Sequence, residues 1–175
     1  IRGTPYRDFD SWADTMDQLL DYAPEVLAPG HTQPVIGAEA IRTALTDYRD
    51  AIRHVVAETA KGMNAGLDPA TIASNLKLPE HLAGKPYLQP FYGDVGYASR
   101  AYFAGTLGWF DGNPTRLGEL PPAAEAAKII ALAGGADAVL AAAHEALATG
   151  EMQWAMELAD RLIAVDTEAD AAKTI

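Results

Sequence analysis

The amino-acid sequence predicts a mainly α-helical fold, a helical bundle preceded by a small α/β segment. After Gly37, apolar residues recur at helical spacing, and glycine and proline residues divide the chain into segments of helix length. Before Gly37, a helical pattern is followed by a short extended one. We therefore predict two parts, residues 1–37 and residues 38–175.

Size, charge and composition exclude several classes of protein. The chain has 175 residues, 49% of them hydrophobic, which is enough for a substantial core, and it lacks an apolar run long enough to span a membrane. Its 13 basic and 24 acidic residues give a net charge of −11, which repels phosphate groups, so no nucleic-acid partner is expected. Cysteine is absent, which leaves histidine and carboxylate side chains as candidate metal ligands.

The first part contains one histidine in an unusual setting. The spacing of Phe9, Trp12, Met16 and Leu19 predicts a helix between Tyr6 and Asp21. Residues 26–28 predict a short buried strand, and Pro29-Gly30 then forces a turn, so that His31 lies at the tip of the strand. Such positions hold metal ligands and catalytic groups, because a rigid scaffold can aim them into a cleft. A turn histidine without a role is the alternative.

The second part begins with a long amphipathic helix from Ala38 to about Asn64, followed by a short helix opened by Asp68-Pro69. Residues 78–96 show no sustained period, yet they include prolines, glycines, aromatic residues and His81. A loop this long in a compact domain is usually functional. A further helix is expected from Tyr97 to Phe110, where Gly112-Asn113-Pro114 stops it.

Three more helices are predicted at residues 122–133, 136–149 and 151–165. The last two pair through Gly150 as a tetratricopeptide-like hairpin, in which Ala142 and Ala155 would allow close approach, and a second repeat would start at Thr167. An antiparallel hairpin within an ordinary bundle is the alternative. His54 and His144 are expected to be structural or solvated, and the three tryptophans are expected in the core: Trp12, Trp109 and Trp154.

Several stretches together resemble one known family. They include "PGHTQPVIG" from Pro29, "LPEHL" from Leu78, and "LGWFDGNPTRL" from Leu107. The combination resembles the alkylsulfatases of the metallo-β-lactamase superfamily, and the resemblance covers nearly the whole chain. It implies that residues 1–37 are the C-terminal edge of a metallo-β-lactamase-type hydrolase domain and that residues 38–175 are a helical dimerisation domain.

The resemblance also implies roles for four residues. His31 stands where the family has a late ligand of its two-zinc site, whereas the remaining ligands lie upstream in that family. His81 would be the catalytic acid beside the ester oxygen, and Tyr92 and Arg100 would bind the sulfate group. Because one imidazole cannot hold a pair of zinc ions, this chain is expected to be inactive by itself.

The function implied is that of part of a zinc-dependent alkylsulfatase, which hydrolyses alkyl sulfate esters to an alcohol and sulfate. The helical domain would form a homodimer and complete the active site. The alternative is a non-catalytic, tetratricopeptide-like protein-interaction module. The sequence leaves open the alkyl chain length, the choice between primary and secondary esters, the stereochemical course and the compartment, for which a bacterial periplasmic or secreted location is one option.

Overall fold

The computed structural model describes residues 6–165 and confirms the mainly helical class. The chain divides after Pro114 into two compact units, of which the first contains five helices and a small hairpin among its described residues. The elements of this first unit are α1 (Phe9–Asp21), β1 (Val26–Leu27), β2 (Val35–Ile36), α2 (Ala38–Asn64), α3 (Pro69–Asn75), α4 (Glu80–Ala83) and α5 (Val95–Leu107). Those of the second unit are α6 (Pro122–Leu132), α7 (Ala136–Thr149) and α8 (Met152–Ala164).

Helix α1 packs along the long helix α2. Phe9 and Ala13 of α1 bury their side chains against Ile52, and the ring of Phe9 meets Tyr102 of α5 edge-on at 5.8 Å between ring centres. Asp17 of α1 also accepts hydrogen bonds from two arginines of α2, Arg49 at 2.8 Å and Arg53 at 2.7 Å. The segment before Gly37 is therefore held to α2 by both an apolar contact and ion pairs.

Helices α3 and α5 pack on the second half of α2. The hydroxyl of Thr59 donates to that of Ser99 at 3.0 Å, which pairs the two buried polar side chains of this region. Gly62 permits a close approach, since a Cβ at this position would lie 2.7 Å from Cγ1 of Ile72. These contacts fix α5, the helix that carries Arg100, on the long helix.

The hairpin before α2 differs from the short buried strand that the sequence predicts. Strands β1 and β2 pair antiparallel, with Val26 opposite Ile36 and Leu27 opposite Val35. Val26 is 60% exposed and Ile36 is 76% exposed, so the expected burial is wrong for this chain. Two strands of two residues pair only with each other in the described part of the chain, which leaves one face uncovered.

The region between α3 and α5 is more regular than the sequence predicts. It contains the single turn α4 and a 3-10 turn at Pro86–Leu88, each too short to show a helical period. Helix α5 begins two residues earlier than expected, where Asp94 accepts a hydrogen bond from the backbone N–H of Tyr97, and it ends at Leu107 instead of Phe110. The next residue, Gly108, adopts a φ of 89°, which cannot continue a right-handed helix.

The second unit contains the predicted hairpin of α7 and α8, joined by Gly150 in a left-handed conformation. Its core combines side chains from α6, α7 and α8: Ile130, Val139, Ala143, Leu158, Ala159 and Leu162. Ala155 is buried as expected, but Ala142 is exposed and Ala143 takes its place, a one-residue error in the helical phase. The second repeat predicted from Thr167 lies outside the described residues.

The tryptophans are less buried than their apolar neighbours suggest. Trp12 is 37% exposed, Trp154 is 50% exposed and Trp109 is 73% exposed, so the expected core positions are wrong for all three. Within residues 6–165, no single helix is both long and apolar enough to cross a membrane, and α6 and α7 reach that length only together, across a bend of 88°. The predicted domain boundary after residue 37 stays a prediction.

Candidate functional site

His31 lies in the turn between β1 and β2. The side chain is exposed, and Pro29 and Gly30 before it and Pro34 after it keep the turn from joining either strand. A neutral imidazole in such a position is available as a metal ligand. The hairpin thus presents His31 at its tip, as the sequence predicts, and each of its two strands has one exposed and one half-buried residue.

His81 lies on the single turn α4, with its side chain exposed next to the buried Leu82. The segment that follows His81 contacts an acidic residue of α2, Asp47. Asp47 is only 13% exposed and pairs with the ammonium group of Lys85 at 2.9 Å, and it also accepts a hydrogen bond from the hydroxyl of Tyr87. His81 and Asp47 are close enough for their charges to interact.

The surroundings shift the pKa values of Asp47 and Tyr87 in opposite directions. Burial disfavours the charged form of Asp47, but hydrogen bonds from Tyr87 and Lys85, with the charges of Lys85 and His81, outweigh burial and lower the pKa of this carboxyl. Burial, the hydrogen bond to Asp47 and the negative charge of Asp47 raise the pKa of Tyr87 to about 12. The pair is therefore a carboxylate and a neutral phenol at ordinary pH.

Further contacts connect the segment after His81 to α2. The hydroxyl of Tyr48 donates to the backbone carbonyl of Tyr87 at 2.6 Å, and the two rings stack with centres 5.9 Å apart. The side-chain amide of Gln89 donates to the backbone carbonyls of Ala83 at 2.8 Å and Lys85 at 2.9 Å. Residues 83–89 thus form a closed loop fastened to the long helix.

Tyr92 lies shortly before the start of α5, and Arg100 lies within this helix. Tyr92 is 80% exposed in the bend before the helix, and its neighbour Phe91 is 82% exposed. Arg100 is exposed on α5, one residue after the buried Ser99. In the described part of the chain no carboxylate pairs with Arg100, in contrast to Arg49 of α2, which pairs with Asp17 and Asp50. The guanidinium of Arg100 is thus free to bind an external anion.

The structure does not join the four predicted site residues by direct contacts. Among residues 6–165, no hydrogen bond or ion pair connects His31, His81, Tyr92 and Arg100 with one another. Over the same residues, no group of three or more histidine and acidic side chains is arranged to hold a metal ion. The described residues by themselves therefore do not fit a zinc site, and His31 can supply one ligand at most.

The residues that hold the segment after His81 on α2 were not predicted from the sequence. Asp47 and Tyr48 lie on α2, whereas Lys85 follows Asp47 by 38 positions in the sequence. The helical period predicts that Tyr48 lies on the apolar face of α2. It does not predict a hydrogen-bond partner for the Tyr48 hydroxyl. The one available signal was the excess of aromatic and polar residues in the segment 78–96.

Comparison with known proteins identifies the class of this helical fold. Residues 68–175 match the family described as alkyl sulfatase dimerisation, which identifies them as a dimerisation domain of an alkylsulfatase. The chain belongs to this family. The match supports the sequence-based resemblance over the alternative of a non-catalytic interaction module.

Named relatives resemble the chain along almost its entire length. It is 43% identical over 176 residues to a linear primary-alkylsulfatase from a Pseudomonas species and covers 33% of that protein. It is 36% identical to an (R)-specific secondary-alkylsulfatase from a Pseudomonas species, with 94% of this chain and 26% of that protein aligned. An alkyl/aryl-sulfatase from Saccharomyces cerevisiae is 31% identical across the whole chain, which covers 28% of it.

A solved structure supports the same assignment. The stereoselective inverting sec-alkylsulfatase Pisa1 from Pseudomonas sp. matches with a TM-score of 0.89 and 36% identity, over 97% of this chain and 28% of Pisa1. The chain thus spans a third or less of the relatives that it matches. Residues 6–67, which precede the family match, lie almost entirely within the part of the chain that follows the fold of Pisa1.

Proposed function

We propose that this chain acts as part of a zinc-dependent alkylsulfatase of the metallo-β-lactamase superfamily, which hydrolyses alkyl sulfate esters to an alcohol and sulfate. The observation that carries the proposal is the agreement in sequence and fold with named alkylsulfatases over nearly all of the chain, at 43% identity in one case and a TM-score of 0.89 in another. In this proposal the residues before α2 belong to the edge of the hydrolase domain.

The charges of the chain support a local role for Arg100 in binding sulfate. A net charge of −11 repels an anionic ester, so the site needs a cation that is not already neutralised. Arg100 is exposed and its guanidinium offers several N–H donors in a planar fork, which suits the oxygens of a sulfate group. Tyr92 would donate its hydroxyl to the same group, because its side chain is 80% exposed.

His81 would protonate the alcohol oxygen as the ester bond breaks. Its side chain is exposed, and the carboxylate of Asp47 lies within range of its charge. A protonated imidazole can act as a general acid and donate its proton to a leaving oxygen. The donated proton lets the alcohol leave as a neutral molecule.

The proposed enzyme would bind two zinc ions, with His31 as one ligand and the others supplied from outside this chain. When bound, zinc would supply an activated water as the nucleophile. The exposed position of His31 at the hairpin tip supports this assignment, because the imidazole can meet ligands from other parts of a hydrolase domain.

We further propose that the helical part forms a homodimer. The family is named for dimerisation, and large apolar side chains are exposed in the region of the α5 helix. The most exposed of these are Phe91, Trp109 and Leu107. Apolar side chains in such numbers are typical of a surface that another protein chain covers.

The test is an assay of the complete protein that contains this chain. Purified and loaded with zinc, it should release sulfate from linear or secondary alkyl sulfates, and chelation followed by zinc addition should remove and restore this activity. A His144→Ala variant, changed on the exposed face of α7, serves as a control that should keep full activity. Zinc-loaded protein that releases no sulfate from either class of ester would contradict the proposal.

A further inference from the structure

A group of polar contacts joins the long helix α2 to the segment that carries His81. Asp47 lies at its centre: its side chain is 13% exposed, and it accepts hydrogen bonds from the Tyr87 hydroxyl and from the ammonium group of Lys85, the latter at 2.9 Å. A carboxylate that is so little hydrated is unfavourable unless it is paired. Asp47 and its two donors therefore hold one another in place.

The helix that carries His81 has little stability of its own. Helix α4 is a single turn of four residues, and Pro79 before it provides no side-chain cap. A turn this short does not form in water without tertiary contacts. Leu82, which is 1% exposed, anchors α4 on its apolar side. The position of His81 therefore depends on what fixes the chain around it.

The chain that follows α4 is fixed mainly through α2. Tyr48 stacks on Tyr87 and donates to its carbonyl at 2.6 Å, while Gln89 closes the loop through the carbonyls of Ala83 and Lys85. Asp47 accepts from both Lys85 and Tyr87, so it holds both ends of residues 85–87 on α2. Its removal would release this stretch and the short helix before it.

Asp47 and His81 also interact through their charges. The charge of His81 is among the influences that lower the pKa of Asp47, after burial, which opposes the shift, and the contacts with Tyr87 and Lys85. The carboxylate of Asp47 is therefore ionised at ordinary pH. Asp47 is thus connected to His81 in two ways: it holds the segment that follows His81, and the charges of the two side chains interact.

We propose that Asp47 is a positioning residue for His81, which it holds and orients by tying residues 81–89 to α2. The proposal rests on the proposed function, because that function gives His81 its role as the acid. Asp47 would not touch the substrate itself. It would act on turnover through His81 and leave the binding of the sulfate group unchanged.

The experiment uses the complete, zinc-loaded enzyme in a double-mutant cycle. Asp47→Asn keeps the size of the side chain but removes its charge, and it should lower kcat about tenfold or more with little change in KM and in zinc content. In a His81→Ala background, the same substitution should cause no further loss, because a residue that acts through His81 has nothing left to position. Asp50→Asn is the matched control, since Asp50 also lies on α2 but pairs with Arg49.

A second measurement reports on the contact without any assay of activity. In the ultraviolet titration of tyrosine, Asp47→Asn should lower the pKa of Tyr87 from about 12 part of the way toward its ordinary value of 10.0, whereas Asp50→Asn should leave it unchanged. Subtraction of the titration of Tyr87→Phe in the same protein isolates this residue from all other tyrosines. Circular dichroism of each variant confirms that the helices remain folded.

Three results would overturn the positioning role. These are an unchanged kcat in Asp47→Asn, an equal loss from this substitution with and without His81, or an unchanged kcat in His81→Ala. Each of them leaves the alkylsulfatase activity of the unaltered enzyme in place. A lack of sulfate release from the unaltered zinc-loaded enzyme would instead overturn the proposed function, and the positioning role with it.

Discussion

The basic residues of this acidic chain are used in two ways. Arg49 and Arg53 of α2 pair with Asp17 of α1, so their charges help to hold two helices together. Arg100 has no such pair among the described residues and projects from α5. The difference lies in the neighbouring charges: the contact between α1 and α2 brings the carboxylate of Asp17 to Arg49 and Arg53, whereas no ion pair forms at Arg100 among the described residues. An unpaired guanidinium is a suitable group to bind the anionic sulfate of an alkyl sulfate ester.

Substitution of Arg100 should separate substrate binding from metal binding. In the complete enzyme, Arg100→Ala should reduce kcat/KM for alkyl sulfates by about tenfold to a hundredfold, as expected for the loss of a charge-assisted hydrogen bond, and leave the zinc content unchanged. His31→Ala should lower zinc content and activity together. Metal analysis and steady-state kinetics on both variants test this. An Arg100→Ala enzyme with unchanged KM and kcat would show that the sulfate binds elsewhere.

The raised pKa of Tyr87 predicts a loss of stability in alkaline solution. In the folded chain the pKa is raised to about 12 from an ordinary value of 10.0, by burial and by the hydrogen bond to Asp47. The stability that this proton confers is therefore fully present below pH 10.0 and is lost as the pH rises through about 12. The difference in free energy of unfolding between the unaltered chain and Tyr87→Phe should decrease across this interval, as measured by urea unfolding. A difference that stays constant would contradict the shift.

At the scale of single elements, glycines set the ends of helices and their connections. Gly150 joins α7 to α8 with a φ of 83° and donates its backbone N–H to the last turn of α7. This left-handed conformation permits a connection of two residues between the helices. The antiparallel arrangement of α7 and α8 depends on it.

Replacement of Gly150 by alanine should destabilise the second unit. A Cβ at this position would meet no atom within 4 Å, so the cost is that of the left-handed backbone alone, about 1–2 kcal/mol. Gly30→Ala is the matched control, because Gly30 also has open space around it and its φ is not positive. Urea unfolding of both variants checks the difference. Equal stabilities would mean that backbone strain at Gly150 is not significant.

Burial along α8 predicts opposite outcomes for two adjacent residues. Leu162 is fully buried in the core of the second unit, whereas Ile163 is 39% exposed. Leu162→Ala should lower the free energy of unfolding by about 2–5 kcal/mol, because it removes apolar contacts and leaves a cavity. Ile163→Ala should cost less than about 1 kcal/mol. Thermal or urea unfolding measures both values, and a larger cost at residue 163 would show that α8 is rotated from its described position.

At the scale of the whole molecule, we expect self-association through the helices after Gly37. Phe91 and Tyr22 are aromatic and nearly equally exposed, at 82% and 79%, but they lie on opposite sides of the predicted boundary. In the complete protein, Phe91→Asp should weaken the dimer by about tenfold or more, as for an interface anchor, and Tyr22→Asp should leave it unchanged. Sedimentation equilibrium measures the dissociation constants. A monomeric protein, or cross-links confined to residues before Gly37, would contradict this arrangement.

How far the sequence predicts the candidate site depends on the kind of residue. His31 and His81 stand in short motifs with proline and glycine neighbours, and such motifs can be recognised from the sequence alone. Asp47 stands inside a helical repeat in which every third or fourth residue is apolar, and nothing local marks it. Its partners Lys85 and Tyr87 follow a turn of helix too short to be periodic. Only the folded chain brings them together.

The sequence by itself determined the helical class, the bounds of α2 and the hairpin of α7 and α8, because long amphipathic patterns and glycine stops act locally. Burial was decided by the tertiary structure. The helical period put Ala142 and Trp154 on packed faces, yet the contacts of the second unit select Ala143 and leave Trp154 50% exposed. The tertiary structure also decided that Asp47 faces the segment of His81. A period describes one helix, whereas burial and ion pairs depend on which other elements that helix meets.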